Sequence, residues 1–465
     1  MGAAGERSAG VAFPGDPAYE AAAAVFNLSA RPRPAAAVTA TTVEQVRAAV
    51  RYAAERGMPV RVQTTGHASA AVAPMDGALL VRTGLSGGVE VDAGRRVARV
   101  PAGTAWGAVV GAAARHGLAV AHGSSALVGV VGYLLGGGVS FYGRRAGLAV
   151  NSVRAVELVT ADGEPCRADP ASDPELFWAL RGGGGGFGIV TAVEVALFPA
   201  AEVVTGAAFW PAAHAGPLLD AWRRWCADAP EEATTSLRIV ALPPDPALPA
   251  PLRSGPLVSV DGAFLAPAPD DAATARRRAE ELLGPLRAIA RPVMDTWRPT
   301  PPAAVLRAHL DAPEPLPFIG DHFLLDALDE EAADAFLRVN GAGGGSPLVL
   351  AGFRQLGGAF GRPDPAGGAL THARGGFAYL GSGAPIGGVD AGALREHCSK
   401  VRAALAPWDT GWTVPSLVED AGRPQRHLTA DEVRAVDHVR ARVDPAALFR
   451  GDVAPNAMAV LRNSR

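Results

Sequence analysis

The sequence predicts an α+β protein of two unlike parts, the second of which is built on an antiparallel sheet. Strand-like and helix-like patterns alternate through residues 1–199, which are also dense in tight turns. From residue 200 to 415, Pro-rich connections separate strand-like runs from helices. The tail, residues 416–465, returns to a helix and a terminal turn. We therefore divide the chain into three parts at these two boundaries, which fits ordinary domain sizes.

The first elements form a strand–helix–strand unit over residues 34–66. Thr41 or Thr42 is expected to cap the start of the helix, and Gly57 to end it. The second strand runs into a loop of small residues, where backbone N–H groups can approach a ligand. The remaining elements of this part are strands at 78–82, 89–100, 153–160 and 189–198, and helices at 105–116 and 173–181.

The second part contains strand-like runs and two helices of its own. The strands are expected at 257–266, 348–360 and 377–383, and one helix at 391–405. The other helix begins near Ala272 and is expected to stop at Leu283, because Gly284 and Pro285 follow. In the tail, a helix is predicted over 430–443.

Composition excludes several classes of protein. The chain has 465 residues, 49% hydrophobic, with a net charge of −3, so it offers no electrostatic footprint for nucleic acid or an anionic membrane. The uncharged stretch 126–143 contains six glycines, which argues against a membrane span. Three distant cysteines and a start without a signal-peptide pattern favour a cytoplasmic protein with neither disulfides nor a metal site.

The 56 glycines are concentrated in loops that would suit a flat ligand. One loop holds a G-x-G-x-x-G pattern at Gly183, Gly185 and Gly188. A dinucleotide-binding Rossmann site needs a strand before this pattern and a helix after it, whereas here a helix precedes and a strand follows. The pattern therefore does not predict a Rossmann site.

Four segments, in order, resemble the vanillyl-alcohol-oxidase-like flavoproteins, and among them the berberine-bridge-enzyme-like branch. They are PVRVQTTGHASA at 59–70, the glycine-rich segment 122–153, LFWALRGGGGGFGIVTAVEVALFP at 176–199, and VDPAALFRGD at 443–452. The resemblance implies a PCMH-type FAD-binding domain made from residues 1–199 and 416–465, with the substrate domain inserted between them. It also implies hydride transfer from a small organic substrate to flavin N5, with O₂ reoxidising the flavin to give hydrogen peroxide.

By this resemblance, His67 bonds covalently to the 8α-methyl group of FAD. A neutral imidazole is a competent nucleophile toward an electron-poor flavin. The alternative is a turn histidine that hydrogen-bonds to the backbone. The other residues expected at the cofactor are Thr64, Thr65, Gly66, Ala68, Gly123, Ser124, Ser125, Val128, Gly129, Gly132, Tyr133, Gly136, Gly137, Gly138, Gly188, Ile189, Val190 and Asn456.

Two positions refine this expectation. Doubly attached relatives carry a cysteine eleven residues before the Gly-Gly-Gly run, and Ser125 stands there. A hydroxyl does not replace a thiolate in this reaction, so we expect one covalent bond. Val128 falls where relatives control oxygen access, and its small side chain favours an oxidase or oxygenase over a dehydrogenase.

The catalytic base is not evident from the sequence. The family position of a carboxylate is Gly367, and the family's Tyr-Val-Asn strand reads as Thr413 to Pro415. Candidates for catalysis are Tyr133, Tyr142, His372 and Tyr379, each of which has an equal claim to a structural role. Alternatives to an oxidase are a flavin-N5-oxide oxygenase acting on a polyketide, and a cyclase with a structural flavin. A monomer or homodimer acting on a secondary metabolite is expected.

Overall fold

The computed structural model describes residues 10–72, 74–243, 246, 248–253, 255–341 and 345–451. Its strands are β1 (Ala36–Ala40), β2 (Val60–Gln63), β3 (Leu79–Thr83), β4 (Glu90–Asp92), β5 (Val97–Pro101), β6 (Leu118–Ala119), β7 (Val153–Val159), β8 (Pro165–Ala168), β9 (Ile189–Ala196), β10 (Phe198–Pro199), β11 (Glu202–Pro211), β12 (Ala233–Val240), β13 (Leu257–Ala266), β14 (Met294–Asp295), β15 (Arg298–Thr300), β16 (Ile319–Leu325), β17 (Leu350–Gln355) and β18 (Phe377–Gly383). Its α-helices are α1 (Pro17–Ala23), α2 (Val43–Arg56), α3 (Trp106–Ala114), α4 (Val130–Leu135), α5 (Gly143–Ala146), α6 (Pro174–Leu180), α7 (Ala215–Ala227), α8 (Ala272–Ile289), α9 (Glu330–Asn340), α10 (Ala391–Ala404) and α11 (Ala430–Val443). The α+β fold class is confirmed.

The N-terminal unit is a parallel sheet with strand order β1-β3-β2. Helix α2 connects β1 to β2, and β3 pairs between them. The Thr42 hydroxyl accepts a hydrogen bond from the Gln45 N–H at 3.2 Å, and Gly57 ends the helix with a φ of +65°. The strand–helix–strand prediction is therefore confirmed, with Thr42 as the cap.

A second, antiparallel sheet of this part has the order β4-β5-β9-β7-β8. The predicted strand at 89–100 is in fact the two short strands β4 and β5, separated by a turn in which Arg96 has a φ of +53°. Helix α11 packs beside this region, and the Val60 N–H donates to the Leu448 carbonyl at 2.7 Å. The C-terminal segment thus returns to the N-terminal unit.

The sheet between residues 202 and 383 is antiparallel throughout, with eight strands. Its order is β14-β11-β13-β12-β17-β18-β16, and β15 pairs with β11 beside β14. Helices α7, α8, α9 and α10 supply side chains to the core on one face. The other face of this sheet lies toward the loops of the first part. The predicted antiparallel sheet is confirmed.

Helix α8 differs from its prediction, because it continues through Pro285 to Ile289. The prediction that Gly284 and Pro285 end this helix is wrong. A proline inside a helix removes one hydrogen bond, here to the Glu281 carbonyl, but does not prevent packing. Leu286 packs in the core between the eight-stranded sheet and its helices. This packing keeps the helical turn after Pro285 in place.

Three buried polar side chains join the two parts. Asn151 donates to the Thr371 carbonyl at 2.8 Å, and Arg144 donates to the Ala229 carbonyl at 2.8 Å. Arg181 donates to two carbonyls of the loop that follows β17. Over the described ranges, no helix is both long enough and apolar enough to cross a membrane.

Candidate active site

A cavity of about 1500 Å³ lies between the loops of the first part and the free face of the eight-stranded sheet. Three loops of the first part line it, around residues 64–68, 123–136 and 184–188. Residues of β12, β17 and β18 line it from the sheet. The wall is largely apolar, as is common for a site that holds a cofactor and a small ligand.

The loop after β2 brings His67 to the cavity. Gly66 has a φ of +71°, and a side chain there would place its Cβ 2.6 Å from Val25. Arg82 fixes the approach of the loop by donating to the Thr64 carbonyl at 2.6 Å and to the Ala22 carbonyl at 3.0 Å. Glycine is therefore required before the histidine.

The His67 imidazole is held in one orientation. Its Nδ1 is hydrogen-bonded to the Thr65 hydroxyl at 2.9 Å, and its ring stacks on Phe26 with centroids 3.9 Å apart. Its Nε2 is buried and has no hydrogen-bond partner among the described residues. Burial lowers the pKa of His67 to about 4, so the ring is neutral at pH 7.

The two glycine-rich loops complete this end of the cavity. The Gly129 N–H donates to the Thr65 hydroxyl at 3.2 Å, which joins the second loop to the first. Gly132 has open space where a side chain would lie. Gly184, Gly185 and Gly186 have φ values of +83°, +80° and +83°, so bare backbone with left-handed geometry faces the cavity.

Tyr133 lies between these loops and the sheet. Its ring meets Trp106 edge-on at 5.4 Å, and its hydroxyl is buried without a partner among the described residues. Burial raises the pKa of Tyr133, so the phenol stays protonated. A buried hydroxyl on the cavity wall is a donor for a bound molecule.

A charged cluster lies on the wall formed by the sheet. Asp261 is fully buried, and its carboxylate accepts from Arg238 at 2.5 Å and pairs with His309 Nδ1 at 3.1 Å. Burial alone would raise the pKa of Asp261, but Arg238 and His309 outweigh it and hold that pKa well below its ordinary value. The carboxylate is therefore ionised.

Arg354 completes the cluster from β17. Its Nε donates to the Ser236 hydroxyl at 3.1 Å, and its Nη1 donates to the Val139 carbonyl at 3.3 Å. The guanidinium lies 4.1 Å above the Phe141 ring. Arg354 therefore stands where the sheet meets the second glycine-rich loop.

Glu419 is a further acid on the cavity wall. It is partly exposed, and its Cβ would lie 3.3 Å from a Cβ placed on Gly320. Burial raises the pKa of Glu419 to about 8. The carboxyl is therefore mainly neutral at pH 7.

Most of the residues expected at the cofactor lie on this cavity. They are Thr64, Thr65, Gly66, His67, Ala68, Gly123, Ser124, Ser125, Val128, Gly129, Gly132, Tyr133, Gly136, Gly188 and Val190. Three others face protein: Gly137 packs against Val414, Gly138 against Tyr133, and Ile189 lies in the core of the N-terminal unit. Asn456 lies outside the described residues.

Of the four residues expected in catalysis, only Tyr133 lines the cavity. The Tyr142 hydroxyl donates to the Pro302 carbonyl at 3.3 Å inside a packed aromatic cluster. Tyr379 is on the face of β18 that packs under the helices, 4.7 Å from Phe323. His372 bonds to the Thr371 hydroxyl at 2.8 Å and is absent from the cavity wall.

The sequence reasoning did not find Arg238, Asp261, His309 and Arg354. A signal was present for three of them, because each is a charge inside an otherwise apolar strand, as in LVSVDGAFLA. A charge is placed in a buried strand only when it is paired or serves a ligand. His309 had no such signal, since it lies in a connection before β16.

Comparison with known proteins gives the class. Residues 34–169 match the model of the FAD binding domain. Over 188 residues the chain is 35% identical to (R)-6-hydroxynicotine oxidase of Paenarthrobacter nicotinovorans, an alignment covering 40% of this chain and 41% of that protein. The chain therefore spans about two fifths of the length of that curated relative.

Solved structures share the whole fold. BBE-like 1 of Physcomitrella patens superposes with a TM-score of 0.82 at 20% identity, covering 97% of this chain and 99% of that one. The glucooligosaccharide oxidase of Acremonium strictum, whose FAD is 6-S-cysteinyl and 8α-N1-histidyl, superposes with a TM-score of 0.75 at 19% identity, covering 97% and 98%. At these identities the likeness establishes the fold.

The fold, the glycine-lined cavity and the domain match together define a flavoprotein with an FAD-binding domain. The chain is thus similar to (R)-6-hydroxynicotine oxidase over two fifths of its length and shares its whole fold with BBE-like and oligosaccharide oxidases.

Proposed function

We propose that this protein is an FAD-dependent oxidase that oxidises a small organic molecule and passes the electrons to O₂. The observation that carries the proposal is the state of His67. Its Nε2 is buried, neutral and without a partner among the described residues, at the edge of a cavity that bare backbone lines on two sides. A buried nitrogen without a partner costs free energy that a ligand atom placed against it would offset.

The residues present fit FAD. The three loops would hold the cofactor, with Thr65 orienting His67 and the left-handed glycines 184–186 offering close backbone approach. When bound, FAD supplies a two-electron acceptor beside the substrate. The chain itself positions the substrate against the sheet and keeps the His67 imidazole neutral.

One covalent bond to FAD belongs to the proposal. Ser125 lies on the cavity wall at the position that the motif comparison assigns to the second attachment. A serine hydroxyl ionises far less readily than a thiol, so it does not add to the flavin ring. His67 is then the sole attachment point.

Oxygen as acceptor and a cytoplasmic location complete the proposal. Val128 is a small side chain on the cavity wall, which leaves room for O₂. Cys166, Cys226 and Cys398 are unpaired thiols, as expected in a reducing compartment.

The test is acid precipitation of the purified holoprotein, followed by flavin fluorescence of the washed pellet. Wild-type protein should give a fluorescent pellet, and His67→Ala should give a colourless pellet. His116→Ala, which changes an exposed histidine outside the cavity lining, should behave as wild type. A colourless wild-type pellet contradicts the covalent bond, and failure of the native protein to retain FAD at all contradicts the proposed function.

A further inference from the structure

Asp261, His309 and Arg354 meet where the sheet borders the cavity, with Asp261 buried beside the two that line it. Asp261 and Arg354 are both directly opposite Ser236 in the sheet, on its two neighbouring strands. His309 and Arg354 line the same cavity as His67 and Tyr133. The cluster therefore faces the space in which a substrate would meet the flavin.

The hydrogen bonds determine which nitrogen of His309 is free. An ionised carboxylate only accepts, so His309 Nδ1 carries the hydrogen in its 3.1 Å contact with Asp261. The lone pair of the neutral ring then lies on Nε2. That atom is 3.5 Å from Arg354 Nη2. A substrate oxygen placed beside both atoms, on the cavity side, would contact a proton acceptor and a cation.

The surrounding charges keep the imidazole neutral. Burial, followed by the positive charge of Arg238, lowers the pKa of His309, and Asp261 opposes this only in part. Nearby charged groups that face the ring are Arg238, Asp261, Arg354 and Asp311. A neutral imidazole oriented by a buried carboxylate is the arrangement used by general bases in hydrolases.

We propose that His309 is the general base of this site, oriented by Asp261, and that Arg354 pairs with the substrate oxygen. The O–H bond of a substrate hydroxyl breaks, the proton forms an N–H bond at Nε2, and the electron pair stays on the oxygen as an oxyanion. This inference rests on the proposed function, because an oxyanion releases hydride from its carbon more readily than the neutral hydroxyl does.

Glu419 is the rival base on the same wall, and the structure disfavours it. No hydrogen bond or ion pair to its carboxyl is present among the described residues. A carboxyl that is mainly protonated at pH 7 must lose its own proton before it can take one from the substrate. His309 is in the state that the reaction requires.

The cavity also indicates the class of substrate. Phe26 and Phe318 line it together with many leucine, valine and proline side chains. A sugar would leave several hydroxyls without partners on such a wall, at a cost for each. We infer a ring-sized, largely apolar substrate whose hydroxyl is on a carbon that also carries a hydrogen, that is, an alcohol on a ring system.

The experiment uses 4-nitrophenol, which absorbs in the visible region only as its phenolate and donates no hydride. Purified holoenzyme is titrated with it at pH 6, where the free probe is mainly protonated, and the difference spectrum is recorded. Binding beside His309 and Arg354 should lower the apparent pKa of the probe by about one unit or more. The phenolate band should therefore grow as the site fills.

Three variants separate the outcomes. His309→Gln should abolish the phenolate band and Asp261→Asn should weaken it, while His438→Gln, an exposed histidine on α11, should leave it unchanged. Melting temperature and the flavin spectrum show that each variant is folded. A wild type that leaves the probe protonated or does not bind it, or a band that persists in folded His309→Gln, overturns the inference.

The inference rests on the proposed function, but the two fail in distinguishable ways. A fluorescent acid pellet with no phenolate band means that the base is wrong although the flavoprotein is right. A native protein that retains no FAD but gives an intact phenolate band means that the proposed function is wrong although the site ionises the probe.

Discussion

At the scale of single residues, the cavity wall carries two buried polar atoms with which a bound molecule could pair. His67 Nε2 and the Tyr133 hydroxyl are both buried on the wall without partners among the described residues. The Tyr142 hydroxyl, also buried, donates to a backbone carbonyl away from the cavity. An unpaired buried polar atom costs free energy unless a ligand compensates it.

The pH dependence of flavin attachment should follow the lowered pKa of His67. Since the ring loses its nucleophilic lone pair only when protonated, attachment of FAD to the apoprotein should proceed at a constant rate from about pH 8 to about pH 5. It should slow as the pH falls toward the pKa of about 4. Acid-stable fluorescence measured against time gives the rate, and a midpoint near 6.5 would contradict the buried environment.

Two glycines should respond to alanine in opposite directions. At Gly143 a Cβ would lie 1.8 Å from the Phe360 ring, so Gly143→Ala should lower the free energy of unfolding by about 1–3 kcal/mol. At Gly111, inside α3, no atom lies within 4 Å of the added Cβ. Gly111→Ala should raise the free energy of unfolding by about 0.5–1 kcal/mol. Urea unfolding measures the free energy of unfolding of both variants. An equal change in the two would contradict the close contact between position 143 and the Phe360 ring.

At the scale of elements, strand pairing assembles the proposed base. Asp261, Ser236 and Arg354 are one cross-strand row on β13, β12 and β17. Because side chains alternate between the faces of a strand, Arg354 faces the cavity cluster while Tyr379, on the next strand, packs with the helices. The same alternation explains why a tyrosine expected in catalysis lies in a core.

Helix α11 depends on a capping box. The Thr429 hydroxyl accepts from the Glu432 N–H at 3.2 Å, and the Glu432 carboxylate accepts from the Thr429 N–H at 2.6 Å. Thr429→Ala should lower the free energy of unfolding by about 1 kcal/mol, whereas Thr429→Ser should keep most of it. Thermal unfolding measures both variants. Equal loss in the serine variant would mean that the methyl group, and not the hydrogen bond, is what matters.

At the scale of the whole molecule, the cavity lies between the two parts, so a ligand that fills it should stabilise both. Arg354 and Asn151 already join them by hydrogen bonds to backbone carbonyls. The division of the chain at residues 199 and 415 stays a prediction, although the eight-stranded sheet begins and ends within it.

Reversible FAD binding should therefore raise the melting temperature of His67→Ala apoprotein. At a free FAD concentration 100 times the Kd, the stabilisation is about 2.7 kcal/mol. Differential scanning fluorimetry with an environment-sensitive dye, read away from flavin emission, gives the shift. Riboflavin, which lacks the diphosphate and adenosine, should give a smaller shift. No shift with FAD would contradict binding in this cavity.

The sequence by itself determined what depends on near neighbours in the chain. Helix α2 with Thr42 and Gly57 at its ends, helix α11 over Ala430–Val443, and the glycine loops that carry His67 and Tyr133 all follow from caps, turns and local motifs. Where a local signal was opposed by packing, as at Pro285 in α8, the tertiary structure prevailed.

Only the tertiary structure decided which side chains face the cavity from the sheet. Asp261 and His309 are 48 positions apart in the chain, and Arg354 is a further 45 positions on from His309. Nothing local relates them, because their distances follow from strand register and from the path of the connection before β16. Pairing between distant strands is a long-range interaction, and it is this pairing that brings a carboxylate, an imidazole and a guanidinium to the wall opposite bare glycine backbone.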